Sequence, residues 1–388
     1  MNRLPPADWT GREGLARLVE ALGADDIRWV GGAVRDTLLG VPVNDVDCAT
    51  VLLPGEVIER CRKSGIRTVP TGIAHGTVTA ILPDGPVEIT TLRRDIATDG
   101  RHATVAFADD WFEDAARRDF TINALYADPG TLEVHDWFGG LADLAARRVR
   151  FIGEPEERIR EDHLRILRYF RFQARFGAEP DSAALRACEA LAHTLKGISR
   201  ERVASELLAI LALPDPAPTI DLMARTGVLS VVLPEAREPQ RDALRALVAL
   251  DETLPHPLRR LAALLPPVPA LAEAVAARLR LSKAQRARLA CSASRTVDDT
   301  DRPRALAYEV GVDCARDRLL LNGRDAGALT GWAPPRFPLK GGRIVAMGIA
   351  AGPQVAAIMQ AVERRWIDEG FPGDPRIDQL LAEEIARL

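Results

Sequence analysis

The chain has 388 residues, of which 47% are hydrophobic and 27% charged, and its formal net charge is −4. That length accommodates two to four domains of roughly 100–200 residues and several buried cores. The weak acidity gives no global attraction to nucleic acid, and no run approaches the ~18 apolar residues of a membrane span.

Five cysteines (Cys48, Cys61, Cys188, Cys291, Cys314) are scattered without a C-x-x-C pair. This predicts neither a zinc site nor a disulfide framework, and fits a reducing cytosol. The opening MNRLPPADWTGREG lacks an apolar signal core, so a cytoplasmic protein is expected.

In chain order, the predicted strands are Ile27–Val30, Asp45–Thr50, Thr77–Leu82, Val87–Leu92 and Glu133–Asp136. TVTAILPDGPVEITTL reads as a hairpin, with Pro83-Asp84-Gly85-Pro86 as the turn between β-branched runs. RRDIATDGRHATVAF then reads as a mobile loop, from its Gly and Asp content. After Gly153 strand signals fade, and apolar residues recur at helical spacing, as in RVASELLAILAL and DALRALVAL. Proline clusters at 214–218, 266–269 and 334–338 are expected joints. The pattern describes an α+β head on a long all-helical extension.

Chemistry concentrates at WVGGAVRDTLLGVPVNDVDCAT, residues 29–50. Asp45 and Asp47, two apart in an extended run, project from one face and suit a hard cation such as Mg²⁺. Glu88, on the second arm of the hairpin, is the candidate third carboxylate for a two-metal site. A lone D-x-D is usually a solvated strand end, so the context decides. Upstream, Gly31-Gly32 allow a tight turn whose N–H groups, with the following helix N-terminus, cradle phosphates. Arg35, one turn into that helix, adds a bidentate phosphate contact.

Further along, Asp162 and Arg165 in EDHLR are predicted to be i, i+3 neighbours on a helix. A carboxylate beside a guanidinium accepts from an exocyclic amino group and donates to the adjacent ring acceptor. Such a pair accepts cytosine and adenine and rejects uracil and guanine. On spacing alone the pair is only a surface ion pair worth ~0.3–0.5 kcal/mol. His163 is expected to point off the Asp162–Arg165 edge.

GGAVRD…DVD, RRDFTINAL (Arg117–Leu125), DWFGGLADL (Asp136–Leu144) and EDHLRILRYFRF (Glu161–Phe172) together resemble the class II tRNA nucleotidyltransferases. These are the CCA-adding enzymes, with their close relatives the bacterial poly(A) polymerases. The resemblance implies a polymerase-β-like nucleotidyltransferase head (1–152), then a helical neck (153–210), body (211–330) and tail (331–388). It implies template-free addition of C, C and A to tRNA from CTP and ATP with Mg²⁺, and no membrane or DNA partner. Poly(A) polymerase is the alternative, with A-only or CC-only variants beside it.

By the same resemblance Asp162 and Arg165 read the base, and Arg168 and Arg171 reach the triphosphate. Arg118 is the implied phosphate ligand, with Asp119 or Asn123 near the 2′-hydroxyl. The 93–107 loop is implied to shift when CTP selection gives way to ATP. Arg101-His102-Ala103 departs from the family's Arg-His-Pro there. In ISRERVASELL, Glu201 or Arg202 is implied to buttress the base-reading segment. FPLKGGRIVAMGIAAGPQVAAIMQAVERRW resembles the family's tail, with Val355, Ile358, Met359, Val362 and Trp366 as a packing face and Lys340 or Arg343 as phosphate contacts.

Overall fold

β1 (Ile27–Val30) lies near the centre of a seven-stranded mixed sheet, and its neighbours fix where the carboxylates fall. In the computed structural model, which describes residues 3–98, 103–251 and 255–387, the strand order is β3-β4-β5-β2-β1-β8-β9. The strands are β2 (Val46–Thr50), β3 (Arg67–Gly72), β4 (Thr77–Leu82), β5 (Gly85–Thr91), β8 (Leu125–Ala127) and β9 (Val134–Asp136). A separate antiparallel pair joins β6 (Arg93–Thr98) to β7 (Ala103–Phe107). The segment expected to be a loop is therefore largely a hairpin. Arg101 and His102 lie outside the described residues.

β2 pairs antiparallel with β1 and parallel with β5. Side chains alternate across the sheet, so Trp29, Cys48, Val78 and Ile89 are buried on one face. Helix α1 (Glu13–Leu22) and helix α3 (Pro54–Lys63) pack there, with Leu18, Leu22, Val57 and Cys61 buried. α2 (Gly32–Leu38) leaves β1 through Gly31, and α4 (Trp111–Ala116) follows the β6–β7 pair. On the opposite face Val30, Ala49, Leu92, Ala115, Ala124, Tyr126 and Ile152 form a core. The hairpin turn is tighter than expected: β5 begins at Gly85, leaving Pro83 and Asp84 as its loop. Asp84 is held by the Gly14 N–H at 3.0 Å.

DWFGG has a local reason. Asp136 accepts from the N–H groups of Gly140 (2.8 Å) and Leu141 (2.9 Å) and so caps α5 (Gly140–Ala145). A Cβ on Gly140 would lie 2.3 Å from the Thr121 carbonyl oxygen. Only glycine lets α5 approach the 3₁₀ turn Thr121–Asn123, which carries part of the candidate site.

The helices that follow are α6 (Pro155–Glu161), α7 (Arg165–Phe176), α8 (Ser182–Leu191), α9 (Arg200–Leu211), α10 (Ala217–Arg225) and α11 (Val228–Val232). α7 buries Ile166, Leu167, Phe170 and Phe172, the positions expected to be core. These elements and the sheet form one compact unit, 1–234; a second unit comprises 235–388. The expected proline joint at 214–218 lies inside the first unit, because Asp215 caps α10 through the Ala217 N–H.

The second unit has helices and no strand among its described residues: α12 (Glu238–Leu250), α13 (Pro257–Ala263), α14 (Pro269–Arg278), α15 (Lys283–Ala293), α16 (Pro303–Val310), α17 (Val312–Leu321), α18 (Gly341–Ala346), α19 (Pro353–Asp368) and α20 (Asp374–Ile385). Asp317 accepts from Arg259 Nε (2.7 Å) and Arg288 Nε (2.6 Å), and Arg260 bonds Asp251, all five residues but Arg288 being buried. The α19 face is buried as expected, with Val355, Ile358, Val362 and Trp366 packed on α20.

Contrary to the expectation of no disulfide, Cys291 and Cys314 are bonded. α15 and α17 pack together and bring their Cα atoms to 6.2 Å, a proximity invisible in residues 23 apart. Cys48, Cys61 and Cys188 are free and buried. Among the described residues no helix is long and apolar enough to cross a membrane.

Candidate active site and its supporting network

The register β4–β5–β2–β1 aligns Thr79, Glu88, Asp47 and Val30 in one row across the sheet. Partnered residues in adjacent strands share a face, so Asp47 and Glu88 are neighbours on it. Asp45 is exposed just before β2, where Val46 and not Asp45 begins the strand. Burial, with the Glu88 carboxylate and less so Asp45, pushes the Asp47 carboxyl above its usual range, while Arg118 pulls it down. The row is thus a concentration of negative charge only partly compensated by protein cations.

Such a set of hard oxygen donors fits a divalent cation. Among the described residues no group of three His, Cys, Asp or Glu is already gathered as a metal cage. Two carboxylates, with the remaining positions left to water and substrate phosphates, are the usual arrangement for Mg²⁺. Asp45 and Asp47 are the residues that would hold it.

Gly31 follows Val30 with φ 67° and ψ −119°, a conformation only glycine adopts without strain. A Cβ there would lie 3.7 Å from Arg118 Nη1. Gly31, Gly32 and Arg118 therefore flank Asp47 on the β1 side. Arg118 is pinned by donating from Nε to Tyr126 Oη (2.8 Å) and from Nη2 to Asp114 Oδ2 (3.1 Å). Tyr126 donates to the same Asp114 oxygen at 2.5 Å, and Arg117 Nε donates to the other at 2.8 Å. Burial alone would raise the Asp114 carboxyl, but Arg118, Arg117 and Tyr126 hold it well below the carboxylate range.

Arg35, expected as a phosphate contact, is already engaged by protein groups. It is 5% exposed, donating to Asp36 Oδ1 (2.8 Å) and Asn123 Oδ1 (2.6 Å), with its guanidinium 4.3 Å from the Phe176 ring centroid. Burial lowers its pKa against the pull of Asp36. Asn123 passes the chain on, donating from Nδ2 to Asp119 Oδ1 at 3.0 Å. Asp119 Oδ2 accepts from Arg168 Nε (2.7 Å) and Nη2 (2.6 Å). Glu206, on α9, accepts from Arg171 Nε at 2.6 Å and lies 3.8 Å from Arg168 Nη1. Arg175 closes the far end on Asp36 Oδ2 at 3.1 Å. Asp36, Arg35, Asn123, Asp119, Arg168, Glu206 and Arg171 thus form a continuous network between the head and α7–α9. Arg168 and Arg171, expected at the triphosphate, carry carboxylates here.

Asp162 and Arg165 do not share a helix, which corrects that expectation. α6 ends at Glu161, Asp162 is extended (φ −147°, ψ 104°), and α7 begins at Arg165. The break has a local cause: Asp162 Oδ1 accepts the Leu164 N–H at 3.1 Å, a turn that competes with helix continuation. Oδ2 accepts from Arg202 Nη2 at 2.6 Å, so Arg202 holds the Asp162 carboxylate. Arg165 pairs instead with Glu161 at 2.5 Å and donates to the Arg158 and Arg117 carbonyls at 2.9 and 3.0 Å. His163 Nδ1 meets the Ile159 carbonyl at 2.9 Å, away from that edge as expected.

Asp114, Tyr126 and Glu206 were not singled out from the sequence. Asp114 lies four residues before Arg118, and Glu206 follows Arg202 on its own helix; that spacing was the available signal.

Residues 27–150 match the family described as "Poly A polymerase head domain", and 179–238 that described as "Probable RNA and SrmB- binding site of polymerase A". The chain is 35% identical over 381 residues to the mitochondrial CCA tRNA nucleotidyltransferase 1 of Mus musculus, covering 92% of this chain and 87% of that protein. Against the Homo sapiens protein of the same name it is 33% identical over 402 residues, covering 95% and 89%. The fold is similar to the Bacillus stearothermophilus CCA-adding enzyme in complex with CTP, with TM-score 0.78, 26% identity, and 97% and 98% coverage. The Thermotoga maritima CCA-adding enzyme complexed with tRNA has the same fold, at TM-score 0.72 and 20% identity over 100% of both chains.

Proposed function

The chain belongs to the class II CCA tRNA nucleotidyltransferase and poly(A) polymerase family, and on that premise we propose that it adds C, C and A to the 3′ end of tRNA. CTP and ATP are the substrates and pyrophosphate the by-product. The observation that carries this reading is the row Glu88–Asp47, flanked by Gly31 and Arg118, with a separate Asp162–Arg202 pair. Chemistry and base choice reside on different elements, as template-free addition requires.

In the transfer, the 3′-hydroxyl oxygen bonds to the α-phosphorus as the bond to the pyrophosphate oxygen breaks; the hydroxyl proton goes to solvent. Mg²⁺ bound at Asp45 and Asp47 would polarise the phosphate oxygens and favour ionisation of the attacking hydroxyl. Glu88 adds negative charge beside Asp47. The Gly31-Gly32 turn and Arg118 receive the triphosphate, and the Asp114–Tyr126 pair keeps Arg118 aimed at it without reorganisation. Asp119 and Asn123 border the ribose, Asp119 while holding Arg168. Arg35 serves by fixing Asn123, and Arg171 by fixing Glu206.

Asp162 accepts from the amino group of cytosine or adenine once Arg202 has set its carboxylate, and Arg165 donates to the ring. We assign chemistry to residues 1–152, base reading to 153–210, and tRNA contact to 211–330 and 331–388. The Cys291–Cys314 bond removes the cysteine argument for a reducing cytosol, and the two relatives described above carry a mitochondrial name.

Poly(A) addition is the second reading, favoured by the two matched family descriptions alone. The deciding experiment supplies the protein with Mg²⁺, tRNA ending before its CCA, and each triphosphate alone, then CTP with ATP. Addition of C-C-A and no more supports the proposal; long A tails on unstructured RNA would select poly(A) polymerase.

A further inference from the structure

The catalytic face of the sheet does not end at Glu88. Beyond it, Thr79 and Thr77 on β4 and Thr90 on β5 point the same way, since each pairs in register with a residue of that face. Thr71 of β3 joins them, its Oγ1 lying 2.8 Å from Thr79 Oγ1, and Thr77 Oγ1 lies 3.2 Å from Thr90 Oγ1. Thr71 and Glu88 are exposed and the other three half-buried. α3 packs on β3 and β4 from the opposite side, where Val78 and Ala80 are buried.

We infer that this hydroxyl-lined face seats the 3′-terminal nucleotide of the RNA being extended. The inference rests on the nucleotidyl-transfer reading and adds a second substrate subsite to it. Phosphoryl transfer places attacking and leaving oxygens roughly in line. Gly31, Gly32 and Arg118 put the triphosphate on the β1 side of Asp47, so the attacking hydroxyl arrives from the β5–β4 side. What lies there is the threonine array. In each hydroxyl pair one O–H is spent on its neighbour and the other remains free to donate, while lone pairs remain to accept. That matches ribose hydroxyls and phosphate oxygens alike. Neutral hydroxyls also bind without the long-range hold of a cation, which suits an RNA end that must re-seat after every addition.

The test uses the full chain, tRNA lacking CCA, and single-turnover addition of the first C at saturating CTP. Thr79→Val and Thr90→Val keep the β-branched shape and remove only the hydroxyl. Each is expected to lower tRNA-dependent efficiency about fivefold, the effect of one neutral hydrogen bond of about 1 kcal/mol. CTP affinity should stay at the wild-type value, and Thr79→Ser should recover most of the loss. A misfolded sheet would change CTP affinity and would not be rescued by serine. Wild-type behaviour of both valine variants, or a loss confined to CTP affinity, overturns the inference. A wild-type protein that extends no RNA overturns the nucleotidyl-transfer reading, and this inference with it.

Discussion

Asp119 holds Arg168 by two bonds, from Nε at 2.7 Å and Nη2 at 2.6 Å, and so ties the turn after α4 to helix α7. Asp119 is buried and the Arg168 side chain is 31% exposed. Removing one partner of a fully buried pair costs roughly 3–5 kcal/mol. With Arg168 partly solvated, Asp119→Ala should cost about 2–3 kcal/mol. Urea unfolding of the full chain measures it, and an unchanged midpoint would contradict the network.

The same residue sets an acid limit. Burial raises the Asp119 carboxyl, but Arg168 and the Asn123 amide bring it down to about 2. A carboxyl depressed in the folded state stabilises the fold above its unfolded value of about 3.9, and this stabilisation is lost as pH falls toward about 2. Asp114, held still lower, adds in the same direction. Stability should therefore drop between about pH 4 and 2, and Asp119→Asn should flatten that drop. Unfolding midpoints across this range decide it; parallel curves for the two proteins would count against the assignment.

Asp47→Asn should abolish nucleotide incorporation while tRNA affinity stays within about twofold, because the change removes a donor for a hard cation and leaves the volume intact. Chelation of divalent ions should stop the wild-type reaction in the same way. Residual incorporation by the variant, or activity after chelation, would show that the row is not the reaction centre.

Asp162→Ala should relax the preference for C and A over U and G. Arg202→Ala should do so in weaker form, since it leaves the carboxylate in place and releases its orientation. Competition between triphosphates in a primer-extension assay gives the ratios. Wild-type selectivity in both variants would move base reading elsewhere.

In the second unit, Asp317 serves Arg259 and Arg288 together. Asp317→Ala leaves a guanidinium buried without that partner and should destabilise by about 3–5 kcal/mol. Denaturant unfolding followed by tryptophan fluorescence reports it; a shift under about 1 kcal/mol would mean water replaces the carboxylate.

Much of this arrangement was readable in advance, and unevenly so. The Ile27–Val30 and Thr77–Leu82 strands appear with the predicted bounds, because β-branched runs between turn residues leave little alternative. The strand at Leu125–Ala127 was missed because three buried residues show no alternation to read. Local spacing suggested an Asp162–Arg165 pair, but a single bond that the Asp162 carboxylate accepts from the Leu164 N–H broke the helix between them. Partners such as Asp119–Arg168 and Arg171–Glu206 are 49 and 35 residues apart, and no short motif encodes which arginine meets which carboxylate.

The β2–β5 pairing is the one parallel contact among the described strands of the main sheet, and it unites Asp47 with Glu88 across an excursion through α3, β3 and β4. Local hairpins can close early, but this contact must wait for the whole excursion to return. The carboxylate row therefore exists only once that excursion has returned β5 to the edge of β2.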